Sequence, residues 1–197
     1  MERVMSSGIP GINLVVLGIM GLMFFMCRKG AGKDSRNFPE LKTVEKVELS
    51  RYLGKWYEIA TIPASFQKKC AGGTSATYSL REDGAISVLN QCYLKDGKVS
   101  QAKGRAWVAD KNTNAELKVS FIPFLRLNFL AGDYWIIDLG ENYEYAVVGH
   151  PSREYGWILS RTPELPDQVL KGIISRLEGQ GYDFSRFKMT NQKDYQE

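Results

Sequence analysis

Residues 50–66 read SRYLGKWYEIATIPASF, and within this stretch Trp56 opens a β-type run directly behind Gly54 and Lys55. A strand that begins with the largest side chain, close behind the residue that has none, needs a reason. We interpret the indole as a plug that closes the bottom of a β-barrel. Gly54 would then let the preceding chain cross close beneath the ring.

From Trp56 onward the chain consists of short β-type runs separated by turn signals. In most runs apolar and polar residues alternate, and REDG and KDGK are typical hairpin turns. Tight turns join antiparallel strands, whereas parallel strands need long crossovers. We therefore predict an all-β fold, an eight-stranded antiparallel up-and-down β-barrel without free edges. The predicted strands are WYEIATI, TSATYSL, AISVLNQCY, VSQAKGRAWVAD, AELKVSFI, DYWIIDL, YEYAVVGH and GWILSRT.

One α-helix is predicted after the eighth strand, in residues 166–181, PDQVLKGIISRLEGQG. Pro166 suits a first helical turn, and Gly179 or Gly181 suits the end. The helix has one apolar face, which we expect to pack on the outside of the barrel. A short last strand is predicted around residues 187–190. The apolar face consists of Val169, Leu170, Ile173, Ile174 and Leu177.

The first 27 residues differ from the rest of the chain. Residues 13–27, NLVVLGIMGLMFFMC, form an apolar run of about thirteen residues that ends at Cys27. This run is short for a membrane-spanning helix of ~20 residues and suits a secretory signal. We predict a signal peptide or membrane anchor over residues 1–27, with Cys27 as the candidate lipidation site. An uncleaved signal anchor and an ordinary cleaved signal are the alternatives. Residues 28–46 are predicted to be a flexible tether, and residues 47–197 to be the folded domain.

Composition argues against several functions. The net charge is only +4 and the basic residues are scattered, so we expect no nucleic-acid partner. His150 is the only histidine, and it stands before a proline in a turn. We predict no metal site, no cofactor and no catalytic residue, because neither a metal-ligand cluster nor a nucleophile motif is present.

The sequence resembles the lipocalin family. Residues 54–59, GKWYEI, are similar to its first motif, residues 138–147, DLGENYEYAV, stand at the place of its second, and Arg161 stands at the place of its third. Gly140, Glu141 and Asn142 depart from the usual Thr-Asp-Tyr of the second motif. The wider phrases ATYSLREDGAISVLNQCY and YGWILSRTPELPD resemble the bacterial outer-membrane lipocalins and their relatives, apolipoprotein D and plant temperature-induced lipocalin.

Strand geometry predicts that the three motifs meet. In an up-and-down barrel successive turns alternate between the two ends. The start of the first strand, the turn at residues 140–142 and the end of the eighth strand therefore share one end. We predict that Arg161 lies over the Trp56 ring in a cation–π contact. The alternative is an ordinary core tryptophan with an exposed arginine.

Cys70 and Cys92 both fall at the opposite end, which is the predicted mouth. Simple hairpin pairing across REDG would set Cys70 opposite residues 95–97, so a bridge to Cys92 needs Cys70 to bend back. We favour this disulfide, partly because of the resemblance and partly because an exported domain is oxidised. Two reduced, buried cysteines are the alternative.

Alternation also predicts which side chains point into the barrel. With Trp56 inward, Glu58 and Ala60 share its face, and a carboxylate there needs hydrogen-bond partners. An error of one residue in any strand would invert its assignment. The predicted lining comprises Glu58, Ala60, Tyr78, Val88, Trp107, Phe121, Tyr134, Ile136, Val147, Trp157 and Leu159.

An aromatic-rich lining and apolar mouth loops suit a small hydrophobic ligand. The resemblance implies a fatty acid, a lysophospholipid or a similar lipid. With Cys27 lipidated, we expect the protein to be lipid-anchored at the cell outer membrane, because Arg28 follows the cysteine in place of the aspartate that typically retains such proteins at the inner membrane. Attachment by an uncleaved segment, or secretion, would follow from the alternative signals. A homodimer is left open. The rival functions are an isomerase or de-epoxidase, which needs a free thiol inside the barrel, and a protein-interaction module that uses the mouth. The predicted mouth residues are Ile62, Pro63, Phe66, Ile122, Pro123, Phe124, Leu125 and Leu127.

Overall fold

The computed structural model describes residues 38–122 and 131–195 of the 197-residue chain. Cys27 and the predicted signal segment lie outside these residues. Two α-helices are described, the single turn α1 (Leu49–Tyr52) and the longer α2 (Asp167–Gly179), together with 3₁₀ turns at Ser65–Gln67, Phe184–Arg186 and Lys193–Tyr195. The strands are β1 (Gly54–Thr61), β2 (Cys70–Leu80), β3 (Ile86–Leu94), β4 (Val99–Val108), β5 (Glu116–Ser120), β6 (Gly132–Leu139), β7 (Tyr145–Gly149), β8 (Gly156–Ser160) and β9 (Lys188–Met189).

The first eight strands form a closed antiparallel barrel. Each strand pairs with the next along the chain, and β1 pairs with both β8 and β2. The short β9 is an additional strand that pairs with β1 at Ala60 and Thr61. The prediction of an eight-stranded up-and-down barrel with a short last strand is therefore confirmed.

Two apolar clusters lie on the two faces of this sheet. The inner cluster fills the closed end of the barrel and contains Trp56, Tyr78 and Ile136. The outer cluster lies under α2, where Ile173 and Leu177 are buried against the sheet. The helix begins behind Pro166 and ends at Gly179, as its sequence predicts. Gly181 follows with φ of +83°, a conformation that glycine adopts without strain.

Bulges in β1 and β6 change which side chains point inward. In β1 the pairing with β8 shifts between Glu58 and Ala60, and in β6 the pairing with β7 shifts between Ile136 and Asp138. Each bulge inserts one residue, Ile59 or Ile137, that joins the outer cluster. Because side chains alternate along a strand, the residues beyond a bulge are displaced to the opposite face from the one simple counting gives.

The predicted tether extends too far toward the domain. Leu41 is only 5% exposed, and Val44 packs against the inner cluster. The backbone N–H of Val44 donates to the carbonyl oxygen of Ile136 at 3.0 Å. Residues 38–46 are therefore packed against the barrel rather than free of it. No helix within the described ranges is long and apolar enough to cross a membrane.

The C-terminal segment closes a gap between β1 and β2. These strands pair directly only from Gly54 to Tyr57 on the β1 side. Beyond that point the N–H of Thr190 donates to the Ile59 carbonyl and the N–H of Gly73 donates to the Asn191 carbonyl. The Gln192 side-chain amide donates to the carbonyls of both Glu58 (2.8 Å) and Thr74 (2.7 Å). The C-terminal segment thus supplies hydrogen bonds where β1 and β2 no longer pair with each other.

Candidate ligand-binding site

Trp56 seals the closed end of the barrel. Its side chain has no exposed surface, and its indole N–H donates to the carbonyl oxygen of Tyr52 at 2.8 Å. Tyr52 belongs to α1, which lies directly before β1, and its ring lies 5.1 Å from the Trp56 ring. The indole is thus buried with its one polar group satisfied, as a plug requires.

Arg161 covers the outer side of this plug. Its guanidinium carbon lies 3.7 Å from the centre of the Trp56 ring, which confirms the predicted cation–π contact. The guanidinium also donates to the carbonyls of Lys55 (2.9 Å), Arg51 (2.6 Å) and Tyr143 (3.3 Å). One side chain therefore joins the ends of β1 and β8 to α1 and the β6–β7 turn.

Gly54 is needed at this junction for two reasons. Its φ is +95°, a value that residues with a side chain rarely adopt. A β-carbon at this position would also lie 3.3 Å from Nη1 of Arg161. The turn at residues 140–142 reaches the same place through Tyr143, whose hydroxyl accepts from the backbone N–H of Glu48 at 2.8 Å. The three sequence motifs therefore meet at one end of the barrel.

Three tyrosines lie immediately above the floor. The Tyr134 hydroxyl is 2.8 Å from that of Tyr52 and 2.9 Å from that of Tyr78. Burial is the main cause that raises the pKa of all three phenols, for Tyr78 to about 12. They consequently remain protonated and neutral at physiological pH.

A small cavity lies beside these tyrosines. Its volume is only about 10 Å³. This is about the space that one water molecule needs. The closed end is therefore nearly filled by its own side chains. The cavity is lined by Tyr52, Tyr78, Ile86, Ala106, Leu117, Val119 and Tyr134.

The inward-facing side chains of β4 are small in the half of the barrel nearest the mouth. The register places Ala106 opposite Ile86, Gly104 opposite Val88, and Ala102 opposite Asn90. Directly opposed residues share a face, so Gly104, Ala102 and Ser100 continue the inner surface above the cavity. Ala102 is nevertheless exposed to solvent. An inward alanine that water reaches indicates open space in the mouth half.

Seven predicted lining residues lie on the inner face. Phe121 is the one nearest the mouth; it is 42% exposed, and its ring occupies the place that a β-carbon at Gly104 would take. Sequence alternation thus located much of the inner surface correctly. The seven are Tyr78, Val88, Phe121, Tyr134, Ile136, Trp157 and Leu159.

Three predicted lining residues point outward. Ala60 is displaced by the β1 bulge and lies in the outer cluster. Val147 also lies there, because β7 is buried on both faces and its apolar run carries no alternation. Alternation was also misassigned by one residue in β4: Ala106 takes the inward position, and Trp107 is paired with the lysine at position 118 on the outer face.

Glu58 is a buried carboxyl in the wall near the mouth. It is 5% exposed, Oε2 accepts from the Gln67 side-chain amide at 2.8 Å, and Oε1 accepts from the Thr190 hydroxyl at 2.6 Å. Burial raises its pKa, and the two hydrogen bonds partly oppose that shift. The sequence predicts that Glu58 needs partners but does not identify Gln67 or Thr190, because both lie in segments without periodicity.

The predicted disulfide is present. Cys70 and Cys92 are joined, with their α-carbons 5.6 Å apart. The register places Cys70 opposite Leu94, and two irregularities in β2 between Cys70 and Ser75 bring the chain back toward Cys92. The bridge therefore fastens the mouth end of the β2–β3 hairpin. Both cysteines of the folded domain are consumed by it.

The rim of the mouth carries exposed apolar and basic side chains. Phe66 is 61% exposed, Ile122 is 47% exposed, and Lys68 and Lys69 next to Phe66 are exposed as well. Ile62, predicted at the rim, is instead buried in the outer cluster. Positions 123–127 of the predicted rim lie outside the described residues. The rim that is described can contact both an apolar chain and an anionic group.

His150 is a turn residue. Its Nδ1 accepts from the backbone N–H of Ser152 at 3.1 Å, and burial lowers the pKa of the ring. Within the described parts of the chain, His, Cys, Asp and Glu side chains form no group that could hold a metal ion.

A closed antiparallel barrel with a sealed floor and an open mouth defines a class of small-ligand-binding proteins. Residues 47–192 match the family described as "Lipocalin-like domain". The chain belongs to the lipocalin family, whose members generally bind small hydrophobic ligands.

Several relatives support this assignment. The chain is 41% identical to temperature-induced lipocalin-1 of Arabidopsis thaliana over 158 residues, which cover 79% of this chain and 84% of the relative. It is 40% identical to outer membrane lipoprotein Blc of Vibrio cholerae over 156 residues, covering 78% and 87%. It is 34% identical to apolipoprotein D of Mus musculus over 176 residues, covering 85% and 89%.

The fold is also that of solved lipocalin structures. Insecticyanin from Manduca sexta superposes with a TM-score of 0.63 at 21% identity, over 78% of this chain and 85% of that one. At this level of identity the similarity concerns the fold alone.

Proposed function

We propose that this protein binds, stores or transports a small hydrophobic ligand, such as a fatty acid or lysophospholipid, in the mouth half of its barrel. One observation carries the proposal: the floor is sealed by Trp56, whereas Ala102 points inward and is still exposed. A hollow that is closed at one end and lined by small residues at the other accepts an elongated guest from the mouth.

Transfer of apolar surface out of water drives this binding, at about 25 cal/mol for each Å² buried. The exposed Phe66 and Ile122 would meet the chain of the ligand as it enters. Lys68 and Lys69 would attract its carboxylate or phosphate. No covalent step and no cofactor are required.

Binding fits the described residues better than the enzymatic alternative. An isomerase on this barrel needs a thiol in the hollow, and Cys70 and Cys92 are joined to each other. The described ranges consequently offer no free thiol to the interior.

A tryptophan scan of β4 tests the proposal. Ala102→Trp would place an indole in the hollow, whereas Lys103→Trp, one residue along the same strand, places it on the outer face. A fluorescent fatty acid such as 11-(dansylamino)undecanoic acid should bind wild type and Lys103→Trp with equal affinity, and Ala102→Trp at least tenfold more weakly. Equal binding by both variants would place the ligand outside the hollow and overturn the proposal.

We further propose that Cys27 is acylated and holds the domain at the outer membrane. The bacterial relatives named outer membrane lipoprotein support this location. Mass spectrometry of the protein from its own host should show acyl chains on Cys27, and Cys27→Ser should move the protein to the soluble fraction. An unmodified Cys27 in membrane-bound protein would favour the uncleaved anchor instead.

A further inference from the structure

The hydroxyls of Tyr52, Tyr78 and Tyr134, here called the tyrosine cluster, do not satisfy one another completely. They carry three O–H protons, one on each phenol. The two contacts that join them, at 2.8 Å and 2.9 Å, use two of these protons. In every arrangement one O–H proton is left without an acceptor among the residues that the structure describes.

An O–H without an acceptor is unfavourable at this buried position. A buried polar group without a hydrogen bond loses the free energy of its contact with water. All three tyrosines line the cavity above the floor, and its other walls are the aliphatic side chains of Ile86, Ala106, Leu117 and Val119. The acceptor must therefore come from whatever occupies the cavity, and the cavity has room for about one small atom group.

The cavity lies at the lower end of the inner face that leads to the mouth. Ala106 lines the cavity, and Gly104 and Ala102 follow it along the inner face of β4. From Ser100 to Ala106 the inner face of β4 extends for about 20 Å at ~3.3 Å per residue. An elongated aliphatic chain that enters at the mouth can thus place its far end at the tyrosine cluster.

We propose that the tyrosine cluster binds a neutral oxygen acceptor, such as a hydroxyl or carbonyl oxygen, on the buried end of a long-chain lipid. This inference rests on the proposed function and adds a selectivity for lipids oxygenated at the terminal carbon. One phenol donates a hydrogen bond to that oxygen through the O–H that has no other acceptor.

The oxygen is neutral because the cavity offers no cation. The nearest guanidinium, that of Arg161, lies over the Trp56 ring and is held by three backbone carbonyls. A carboxylate beside the tyrosine cluster would be buried without a counter-ion, which is unfavourable. A charged end of the ligand therefore stays at the mouth, close to Lys68 and Lys69.

The test compares three ligands of similar length by displacement of a fluorescent fatty acid: hexadecanoic acid, 16-hydroxyhexadecanoic acid and 16-bromohexadecanoic acid. The bromo compound controls for the presence of a terminal substituent, since bromine takes up more space than a hydroxyl group and is a poor acceptor. Wild-type protein should bind the hydroxy acid roughly tenfold more tightly than the other two, the effect of about one buried hydrogen bond. Equal affinity for all three overturns the inference and leaves the proposed function intact. Failure of all three to bind overturns both.

A triple variant assigns the preference to the tyrosine cluster. Tyr52→Phe/Tyr78→Phe/Tyr134→Phe keeps the three rings and leaves no phenol buried without a partner, so packing is preserved. It should bind hexadecanoic acid and 16-hydroxyhexadecanoic acid with equal affinity, so that the preference for the hydroxy acid is lost. Tyr57→Phe, on the outer face of β1, is the matched control and should keep the preference. A preference that survives in the triple variant refutes the assignment.

A second readout uses wild-type protein and does not depend on the triple variant folding. A tyrosine O–H that gains an acceptor absorbs at longer wavelength. The complex with 16-hydroxyhexadecanoic acid should show a tyrosine difference band in the ultraviolet that the bromo complex lacks. Identical difference spectra for the two complexes would contradict the inference.

Discussion

Replacement of Arg161 by alanine should destabilise the whole barrel without changing the interior in which a ligand would bind. The side chain contacts the indole of Trp56 and three backbone carbonyls from separate segments, those of Arg51, Lys55 and Tyr143. Arg161→Ala removes all four interactions at once. The residue lies below the floor, so ligand affinity in the folded protein should change little.

The expected loss can be built from these contacts. The cation–π contact is worth about 1 kcal/mol at a half-exposed site. Each of the three hydrogen bonds contributes about 1 kcal/mol, at the low end for a charged donor because the released carbonyls can bind water. The alanine variant no longer loses the conformational entropy of the arginine side chain on folding, which offsets ~1 kcal/mol of this loss. The net loss of unfolding free energy is therefore about 3 kcal/mol.

Urea unfolding followed by tryptophan fluorescence measures this loss. With a slope of about 2 kcal/mol per molar urea, the midpoint should fall by about 1.5 M. Arg161→Lys keeps the charge but not the planar guanidinium with its several donors, so its unfolding free energy should fall by about half as much.

Arg176→Ala is the matched control. Its guanidinium meets Asp138 at 2.7 Å on a side chain that is 50% exposed, and its loss should cost under about 1 kcal/mol. If Arg161→Ala and Arg176→Ala unfold at the same urea midpoint, the contacts of Arg161 do not stabilise the floor as we describe.

Three further changes test other parts of the structure. Trp56→Ala empties a fully buried site and should cost about 3–5 kcal/mol in urea unfolding; a loss below ~1 kcal/mol would show that the indole is not packed as observed. Because burial raises the pKa of Glu58 above its usual 4.5, the folded protein holds that proton more tightly, and wild type should lose stability relative to Glu58→Gln as pH rises above that usual value. A pH-independent difference between the two unfolding midpoints would contradict this. The double variant Cys70→Ser/Cys92→Ser opens a cross-link between residues 22 apart and should lose about 3 kcal/mol on the chain-entropy estimate, with unchanged midpoint as the contrary result.

The floor of the barrel was predictable because its determinants are local and distinctive. Gly54 and Trp56 stand two residues apart, and strand counting alone sets Arg161 and the 140–142 turn at the same end. The departure from the usual second motif ends before the residue that the floor uses. Tyr143 follows it, and accepts from Arg161 through its backbone carbonyl and from the Glu48 N–H through its hydroxyl.

The faces of the strands were only partly predictable, for a physical reason. Alternation reports the inner face only where the outer face is polar. Under α2 both faces are apolar, so the sequence of β7 cannot distinguish Val147 from Val148, and the bulge before Ala60 leaves no trace in hydrophobicity. The assignment of Trp107 to the inner face was wrong by one residue, because the inward position belongs to the small Ala106 beside it.

The small inward residues that make room for a ligand also deprive the mouth half of packing energy. Gly104 and Ala102 bury little, so this half of the barrel cannot be held by its core. The structure places its cross-links there instead: the Cys70–Cys92 disulfide fastens one hairpin, and Gln192 bridges the separated carbonyls of Glu58 and Thr74. Stability at the floor comes from burial and at the mouth from covalent and hydrogen-bonded links. Because these links lie in the wall rather than in the hollow, the mouth can remain open to a guest without weakening the barrel.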